Sequence, residues 1–188
     1  MEEESMGHPW PPTRLLRLLI WTLLGILASI GPGTSIPSRG GPGVALGAER
    51  RLPPAPAFTL PDLDGRSRSL ADFLGSKPIL LEFMSLDCPH CRGMVPVLTR
   101  LHAAYGTRLQ FLTVAFDRDP RRVRKFVERE KHAWSYLMGS QETIDAYKLE
   151  GVPTFFLVTP DGRIAGLMVG SASYEAISQV IEAVLRER

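Results

Sequence analysis

The two cysteines of this 188-residue chain lie three positions apart, and this pair limits its structure and chemistry more than any other feature. They form the motif Cys88-Pro89-His90-Cys91, just after an apolar run that ends at Met84. With no further cysteine, a disulfide-stapled mini-domain and a four-cysteine zinc site are both excluded. A disulfide across so short a loop would constrain the unfolded chain little and add little stability. The spacing therefore favours redox exchange over a structural bond.

The residue pattern predicts that the motif opens a helix that follows a buried strand. A cysteine at a helix N-terminus meets free backbone N–H groups and the positive end of the helix dipole, which favour its thiolate. Cys88 occupies that position, and Cys91, one turn later, is placed to close a ring with it. Such a pair cycles between dithiol and disulfide through a mixed disulfide with a substrate. We expect no cofactor other than this redox-active disulfide.

Metal and nucleic-acid binding are not expected. The nearest histidines beyond the motif, His102 and His132, belong to other predicted elements, so no ligand set forms around the cysteines. The 22 Lys and Arg residues nearly balance the 20 Asp and Glu residues, which leaves a net charge of +2 and no broad basic surface. The basic run at residues 118–125 is interpreted as a solvated helix face.

Residues 1–30 are predicted to be an export signal kept as a membrane anchor. The uncharged run from Leu18 to Ile30 has the length of a signal-peptide core and is shorter than the roughly 20 residues of a spanning helix. No small-x-small cleavage site follows it directly, and Arg14 and Arg17 precede it, which favours a cytoplasmic N-terminus. We therefore expect a single-pass anchor with the catalytic domain outside the cytoplasm, in the periplasm. A soluble periplasmic protein after signal cleavage is the alternative.

Residues 31–57 are predicted to be a linker, because six prolines and six glycines occupy these 27 positions. Such a segment buries too little apolar surface to offset its chain entropy. The globular domain is expected over residues 58–188.

In that domain, predicted strands alternate with helices, which indicates an α/β fold with a mixed central sheet. An opening hairpin with an Asp-Gly turn spans residues 58–70 and leads into a short helix. The near-continuous apolar run at residues 78–84 indicates a strand buried on both faces. The remaining predicted elements are helix 88–105, strand 109–116, helices 120–131 and 141–149, a second hairpin over 154–169, and helix 173–188.

Residues 58–105 resemble the extracytoplasmic TlpA/ResA-like thioredoxin family in the opening hairpin, the apolar strand, the Cys-x-x-Cys motif and Pro96, five residues after it. Gly151-Val152-Pro153-Thr154 resembles the family's loop with a cis-proline that faces the cysteines. The resemblance extends over residues 58–188 and implies a thioredoxin-like fold with an N-terminal β-hairpin and a central insertion. It also implies a membrane-anchored thiol-disulfide oxidoreductase that acts on protein thiols and receives electrons from a membrane donor.

The resemblance assigns further site residues. Glu82 interrupts the apolar strand six positions before Cys88 and matches the family's buried acid, which relays a proton to or from the second cysteine. Burial raises the pKa of a carboxyl, which suits proton transfer near neutral pH, whereas an edge-strand Glu would face solvent. Val152 and Pro153, with Pro89 beside the first cysteine, are expected to bind the substrate, whose backbone pairs there like an added strand.

His90 leaves the direction of electron flow open. As a cation or hydrogen-bond donor it would stabilise the Cys88 thiolate and make the disulfide a stronger oxidant. The Pro-His dipeptide also occurs in DsbA-like oxidases, whereas Glu-Pro or Gly-Pro is more familiar in reducing relatives. The substrate stays open too, among apo-cytochrome c, a copper-assembly protein and misoxidised proteins in general.

Two other functions match the sequence in part. A peroxiredoxin-like thiol peroxidase shares this fold, and Ser85 fits its sequence frame, but Leu81 stands where that frame has proline. A copper-delivery protein would have three residues between its cysteines and a distal histidine, whereas the spacing here is two. Phe73, Trp134 and Tyr136 are predicted to be core residues.

Overall fold

The computed structural model describes residues 52–186, which belong to the second of two compact units, Gly47–Arg188. The predicted anchor at residues 1–30 and the predicted linker over residues 31–51 lie outside the described residues. Within residues 52–186, no helix is both long enough and apolar enough to cross a membrane.

The described residues form seven strands, five α-helices and a short 3-10 helix. The strands are β1 (Thr59–Pro61), β2 (Ser67–Ser69), β3 (Ile79–Met84), β4 (Gln110–Ala115), β5 (Ser135–Met138), β6 (Thr154–Val158) and β7 (Ile164–Val169). The helices are α1 (Pro89–Gly93), α2 (Val95–Tyr105), α3 (Pro120–Glu130), α4 (Gln141–Tyr147) and α5 (Tyr174–Arg186), and the 3-10 helix is Leu70–Phe73.

The central sheet has five strands in the order β5-β4-β3-β6-β7, and β1 and β2 form a separate hairpin. Strand β3 pairs in parallel with β4, which pairs in parallel with β5. On its other side β3 pairs antiparallel with β6, which pairs antiparallel with β7. The sheet is therefore mixed, as predicted, and the strand that precedes the cysteine motif lies at its centre.

Alternate side chains of β3 pack on opposite faces of this sheet. Leu81 and Phe83 belong to a cluster with Tyr147 of α4 and residues of the opening hairpin. Leu80 packs among apolar side chains of α2 and α5, and Met84 packs with residues of α1 and α3. Glu82, between Leu80 and Met84, therefore lies on the face that α1 covers, which is the face of the cysteine motif.

The start of the domain differs from the prediction. Residues 53–56, assigned to the linker by composition, bond to the domain. The N–H of Ala55 donates to the Gly162 carbonyl at 2.8 Å, and the N–H of Ile164 donates to the Pro53 carbonyl at 2.8 Å. A proline lacks an N–H but keeps its carbonyl, so a Pro-rich segment still pairs along a sheet edge. Residues 53–56 therefore pair with the domain instead of leading into it as an unpaired linker.

Two further elements differ from the prediction. The helix expected over residues 88–105 is divided at Met94 into α1 and α2. Pro96 explains the break, because its ring has no N–H to donate and clashes with the carbonyl four residues earlier, that of Arg92. Strand β5 was not predicted, since its four residues show no clear alternation. Phe73 and Tyr136 are buried as predicted, whereas Trp134 is half-buried.

Candidate active site

Cys88 is the N-cap of α1, at the carboxyl end of the central strand. Its Sγ accepts a hydrogen bond from the Cys91 N–H at 3.4 Å, and its thiol donates to the Val152 carbonyl at 3.3 Å. Both cysteines are free thiols; Cys88 is half-buried and Cys91 is buried. The less buried sulfur thus lies between a helix N-terminus and the loop that precedes β6.

These surroundings favour ionisation of Cys88. Burial raises the pKa of its thiol, but the Cys91 N–H and thiol, the His90 N–H and the charge of Arg92 lower it by more. The net result is a pKa below the usual value of a cysteine. Because the thiolate is the nucleophile, Cys88 is the candidate for attack on a substrate.

Cys91 has the opposite electrostatics. Burial, and after it the neighbouring Cys88 and the charge of Glu82, raise the pKa of Cys91 to about 12, against a smaller lowering by the Ser85 backbone. A thiol with so high a pKa is almost wholly protonated at neutral pH. Its use as a second nucleophile therefore requires a base that removes its proton.

Glu82 has the position and the protonation behaviour of such a base. Its residue is 3% exposed in the central strand, so the alternative of a solvent-facing edge-strand Glu does not hold. Burial raises the pKa of Glu82 to about 7, although a hydrogen bond from Thr113, at 2.9 Å between Oγ1 and Oε2, lowers it. At neutral pH the carboxyl therefore exchanges a proton readily, and its charge reaches Cys91.

Sequence reasoning missed the two residues that hold Glu82. Thr113 lies directly opposite it in the β3–β4 register, and Trp134, just before β5, donates its indole N–H to Thr113 Oγ1 at 3.0 Å. Trp134 was predicted to be a core residue, and Thr113 was not singled out. The pairing depends on strand register, which no local pattern near Thr113 reports.

Pro89 and His90 are both exposed at the first turn of α1. His90 contributes its backbone N–H to the environment of Cys88. The expected effect of its imidazole on the thiolate stays a prediction.

Ion pairs hold the loop before Cys88 against α3. The buried carboxylate of Asp117 accepts the Leu86 N–H at 3.0 Å and pairs with Arg122 at 3.2 Å. Arg122 also pairs with Asp87 at 2.7 Å.

A groove of about 630 Å³ lies beside this loop, and it is lined by Leu86, Arg92, Asp119, Arg121, Arg122, Lys125, Phe126 and Arg129. The basic helix face is thus solvated, as predicted, and one side of it borders the active-site loop.

The second sequence marker adjoins the cysteines. The Val152–Pro153 peptide bond is cis, as the resemblance implied. Because the Val152 carbonyl accepts the Cys88 thiol proton, the loop and the motif are in direct contact. Cys88, Cys91 and Val152 therefore lie together, with Pro153 next to Val152, and the charge of the buried Glu82 acts on Cys91.

Comparisons with known proteins point to thiol chemistry. The model of the AhpC/TSA family matches residues 53–166. The thiol-disulfide oxidoreductase ResA of Geobacillus thermodenitrificans is 30% identical over 132 residues, which cover 69% of this chain and 75% of that protein. The thioredoxin-like protein YneN of Bacillus subtilis is 27% identical over 131 residues, which cover 68% of this chain and 76% of that protein.

Solved structures show the same architecture. The solution structure of a thiol:disulfide interchange protein from Bacteroides sp. matches 70% of this chain and 90% of that protein, with a TM-score of 0.60 and 28% identity. The relatives named here are a thiol-disulfide oxidoreductase, a thioredoxin-like protein and a thiol:disulfide interchange protein. Over residues 52–186, no group of three or more His, Cys, Asp and Glu side chains is arranged to hold a metal ion.

Proposed function

Because this chain belongs to the AhpC/TSA family, and within it is a thiol-disulfide oxidoreductase of the TlpA/ResA-like thioredoxin type, we propose that it exchanges disulfides with protein thiols through Cys88 and Cys91. In this proposal Cys88 is the attacking cysteine, Cys91 is the resolving cysteine, and Glu82 accepts or returns the proton of Cys91. Val152, Pro153 and Pro89 form the surface that receives the substrate.

Reduction of a substrate disulfide by the dithiol form proceeds in two steps. The Cys88 thiolate attacks one sulfur of a substrate disulfide, which forms a mixed disulfide and releases the other substrate sulfur as a thiolate that takes up a proton. Glu82 then removes the proton of Cys91, and the new thiolate attacks Cys88. This attack forms the Cys88–Cys91 disulfide, breaks the bond between Cys88 and the substrate, and releases the second substrate sulfur as a thiolate that takes up a proton. The substrate thus leaves as a dithiol that has gained two electrons and two protons. The oxidative direction is the same sequence reversed.

The placement of the Cys88 sulfur carries the proposal. This sulfur accepts a hydrogen bond from the Cys91 N–H at 3.4 Å and donates one to the Val152 carbonyl at 3.3 Å. The first stabilises the thiolate, and the second marks the backbone segment along which an extended substrate would lie. A sulfur that is reactive and also adjacent to a substrate-pairing backbone supports exchange with polypeptide disulfides.

The direct test is a redox titration of the full-length protein against mixtures of reduced and oxidised glutathione, with alkylation of free thiols and mass spectrometry. We expect one two-electron transition in which Cys88 and Cys91 change together, and reduction of a model protein disulfide by the dithiol form. Rapid consumption of hydrogen peroxide without protein disulfide reduction would point to a peroxidase. Tight copper binding by the reduced protein would point to metal delivery.

We further propose that the protein acts outside the cytoplasm from a membrane anchor, on the basis of the uncharged run at residues 18–30. Full-length protein expressed in a bacterium is then expected to fractionate with membranes and to retain its N-terminus. N-terminal sequencing of the membrane fraction measures this. A soluble mature protein that begins near Ala48 would contradict the anchor and leave export intact.

Cytochrome c maturation is the physiological setting we propose, with electrons supplied by a membrane donor. Haem attachment requires the two thiols of a Cys-x-x-Cys-His segment, and a reductase of this type would supply them in reduced form. A peptide with that segment, oxidised to its disulfide, is the substrate to test first. A protein that oxidised the reduced peptide instead would act in the opposite direction.

The direction of electron flow depends in part on His90. Replacing His90 with Ser keeps the backbone N–H at Cys88 and removes the imidazole, so any effect belongs to the ring. We expect the pKa of Cys88 to rise and the potential of the pair to fall together, by about 30 mV for each 1.4 kcal/mol of lost thiolate stabilisation. Thiolate absorbance against pH and glutathione equilibration measure the two quantities. If neither quantity changed, the imidazole would have no part in setting the reduction potential of the cysteine pair.

A further inference from the structure

A chain of two hydrogen bonds reaches Glu82 from Trp134, just before β5, through Thr113 on β4. Thr113 on β4 lies opposite Glu82 and is 1% exposed, and its Oγ1 is 2.9 Å from Glu82 Oε2. The same oxygen accepts the Trp134 indole N–H at 3.0 Å. One buried hydroxyl therefore links a carboxyl group to an indole.

The donors and acceptors of this chain fix its direction. An indole N–H only donates, and a threonine hydroxyl has one proton and two lone pairs. Trp134 donates to one lone pair of Thr113 Oγ1, and the hydroxyl proton of Thr113 points to Glu82 Oε2, because an ionised carboxylate can only accept. A hydrogen bond to an ionised carboxylate is about twice as strong as one to a neutral carboxyl, so the chain favours the ionised form of Glu82. Donation from Trp134 also polarises the hydroxyl and strengthens this bond.

The titratable groups near Glu82 are neutral and do not stabilise its ionised form by charge. Cys91 of α1 and Tyr136 of β5 are the titratable groups that sense its charge. Both are neutral at neutral pH, since burial raises the pKa of each well above its usual value. Tyr136 lies opposite Thr113 in the β4–β5 register, and its hydroxyl interacts with Thr113 and Trp134 as well as pairing with His132 Nδ1 at 2.6 Å. Burial lowers the pKa of His132 to about 4, so that ring is neutral as well.

The other elements packed on this face bring apolar groups. Phe155 lies opposite Glu82 on β6, and α2 and α5 add aliphatic side chains to the cluster that contains Phe155. Among the described residues, Thr113 is therefore the group that opposes the effect of burial on the carboxyl.

We propose that Thr113 and Trp134 are positioning residues that keep Glu82 able to ionise at neutral pH, and that they thereby set the pH range in which Cys91 is activated. The first part concerns the carboxyl alone. The second rests on the proposed function, in which Glu82 is the base for Cys91.

The test follows the protonation of Glu82 directly in the full-length protein. Infrared spectra recorded against pH contain the band of a protonated carboxyl, and its absence in Glu82→Gln assigns that band to Glu82. In Thr113→Val we expect the midpoint to rise by about one pH unit, the size of one lost bond to a charged group. In Trp134→Phe, which keeps an aromatic ring and removes the N–H, we expect a smaller rise of a few tenths of a unit.

Two further variants separate the hydroxyl from packing. Thr113→Ser restores a hydroxyl without the methyl group and is expected to return the midpoint to that of the original protein. Tyr147→Phe is the matched control, because it removes a buried hydroxyl on the opposite face of the sheet, where Tyr147 donates to the Pro56 carbonyl at 2.8 Å. Its midpoint should not move.

The outcomes distinguish the two parts of the proposal. An unshifted midpoint in Thr113→Val, or a failure of Thr113→Ser to restore it, overturns the positioning role of Thr113, and an unshifted Trp134→Phe overturns that of Trp134. The rate of the Cys91 step at pH 7 should fall about fivefold in Thr113→Val if its midpoint rises by one unit. A shifted midpoint with an unchanged rate profile would retain the hydrogen-bond chain and reject Glu82 as the base.

Discussion

Cys88→Ser is expected to reduce protein disulfide exchange to the rate measured without the protein. The serine hydroxyl ionises far above neutral pH and forms no disulfide, so neither the attack nor the mixed disulfide is available. The fold should persist, because Cys88 is an N-cap and serine is among the preferred N-cap residues. Turnover of a fluorescent protein disulfide by the reduced, full-length variant measures the loss.

Cys91→Ser is expected to stop the reaction one step later. Cys88 still attacks, but no second thiol resolves the intermediate, so a covalent adduct between Cys88 and the substrate accumulates. Non-reducing electrophoresis and mass spectrometry detect it, and a variant that carries both serine substitutions should form none. Full multiple turnover by Cys91→Ser would contradict the dithiol mechanism and favour chemistry at a single cysteine.

The sequence was most informative where a local pattern is compatible with only one structure. The apolar run before the motif predicted a strand buried on both faces, and β3 is the central strand of the sheet. The single carboxylate inside that run, Glu82, was predicted to be buried rather than to face solvent from an edge strand, and it is buried. Cys-x-x-Cys at a helix start similarly predicted the N-cap position of Cys88.

Contacts that join distant parts of the chain were not predictable in the same way. Glu82 and Thr113 are 31 residues apart, and their pairing follows from the register of two parallel strands. A shift of one residue would turn Thr113 to the other face of the sheet. Trp134 lies before a four-residue strand too short to show a period, so its indole N–H had no predicted partner.

Composition was misleading at the domain boundary. The prolines and glycines of residues 31–57 predicted a linker because such residues do not pack a core. The carbonyl of Pro53 and the N–H of Ala55 nevertheless bond to the second hairpin, which needs only backbone groups. The contact between Val152 and Cys88 was not predictable from local patterns either. Only the family resemblance implied that this loop lies beside the motif.

Glu82→Gln is expected to slow the reaction and to stabilise the fold. The carboxyl is the proposed base for Cys91, and burying it costs free energy once it ionises. In the original protein the rate of the Cys91 step should rise with pH through about 7, as burial holds the pKa of Glu82 near that value and the base becomes available. Glutamine keeps the shape and accepts no proton. The variant should therefore lose this rise and react about a hundredfold more slowly at pH 8. Single-turnover release of substrate from the mixed disulfide, measured between pH 5 and 9, isolates the step.

The effect on stability has the opposite sign. The folded protein keeps a proton on Glu82 up to a pKa of about 7, whereas the unfolded chain releases it near 4.5. Unfolding therefore releases a proton between these values, and the free energy of unfolding falls as pH rises from 4.5 to 7. The difference of 2.5 units corresponds to about 3 kcal/mol.

Glu82→Gln removes this term and keeps an amide oxygen for Thr113 to bond. The variant should therefore gain up to about 3 kcal/mol relative to the original protein above pH 7, and nothing from this source at pH 4. Urea unfolding of both proteins at pH 4 and pH 8 measures the difference. A stability difference that did not change with pH would mean that Glu82 ionises at its ordinary pKa in the folded protein. The carboxyl would then already be ionised at every pH in which Cys91 reacts, and its titration could not produce the rise in rate through pH 7.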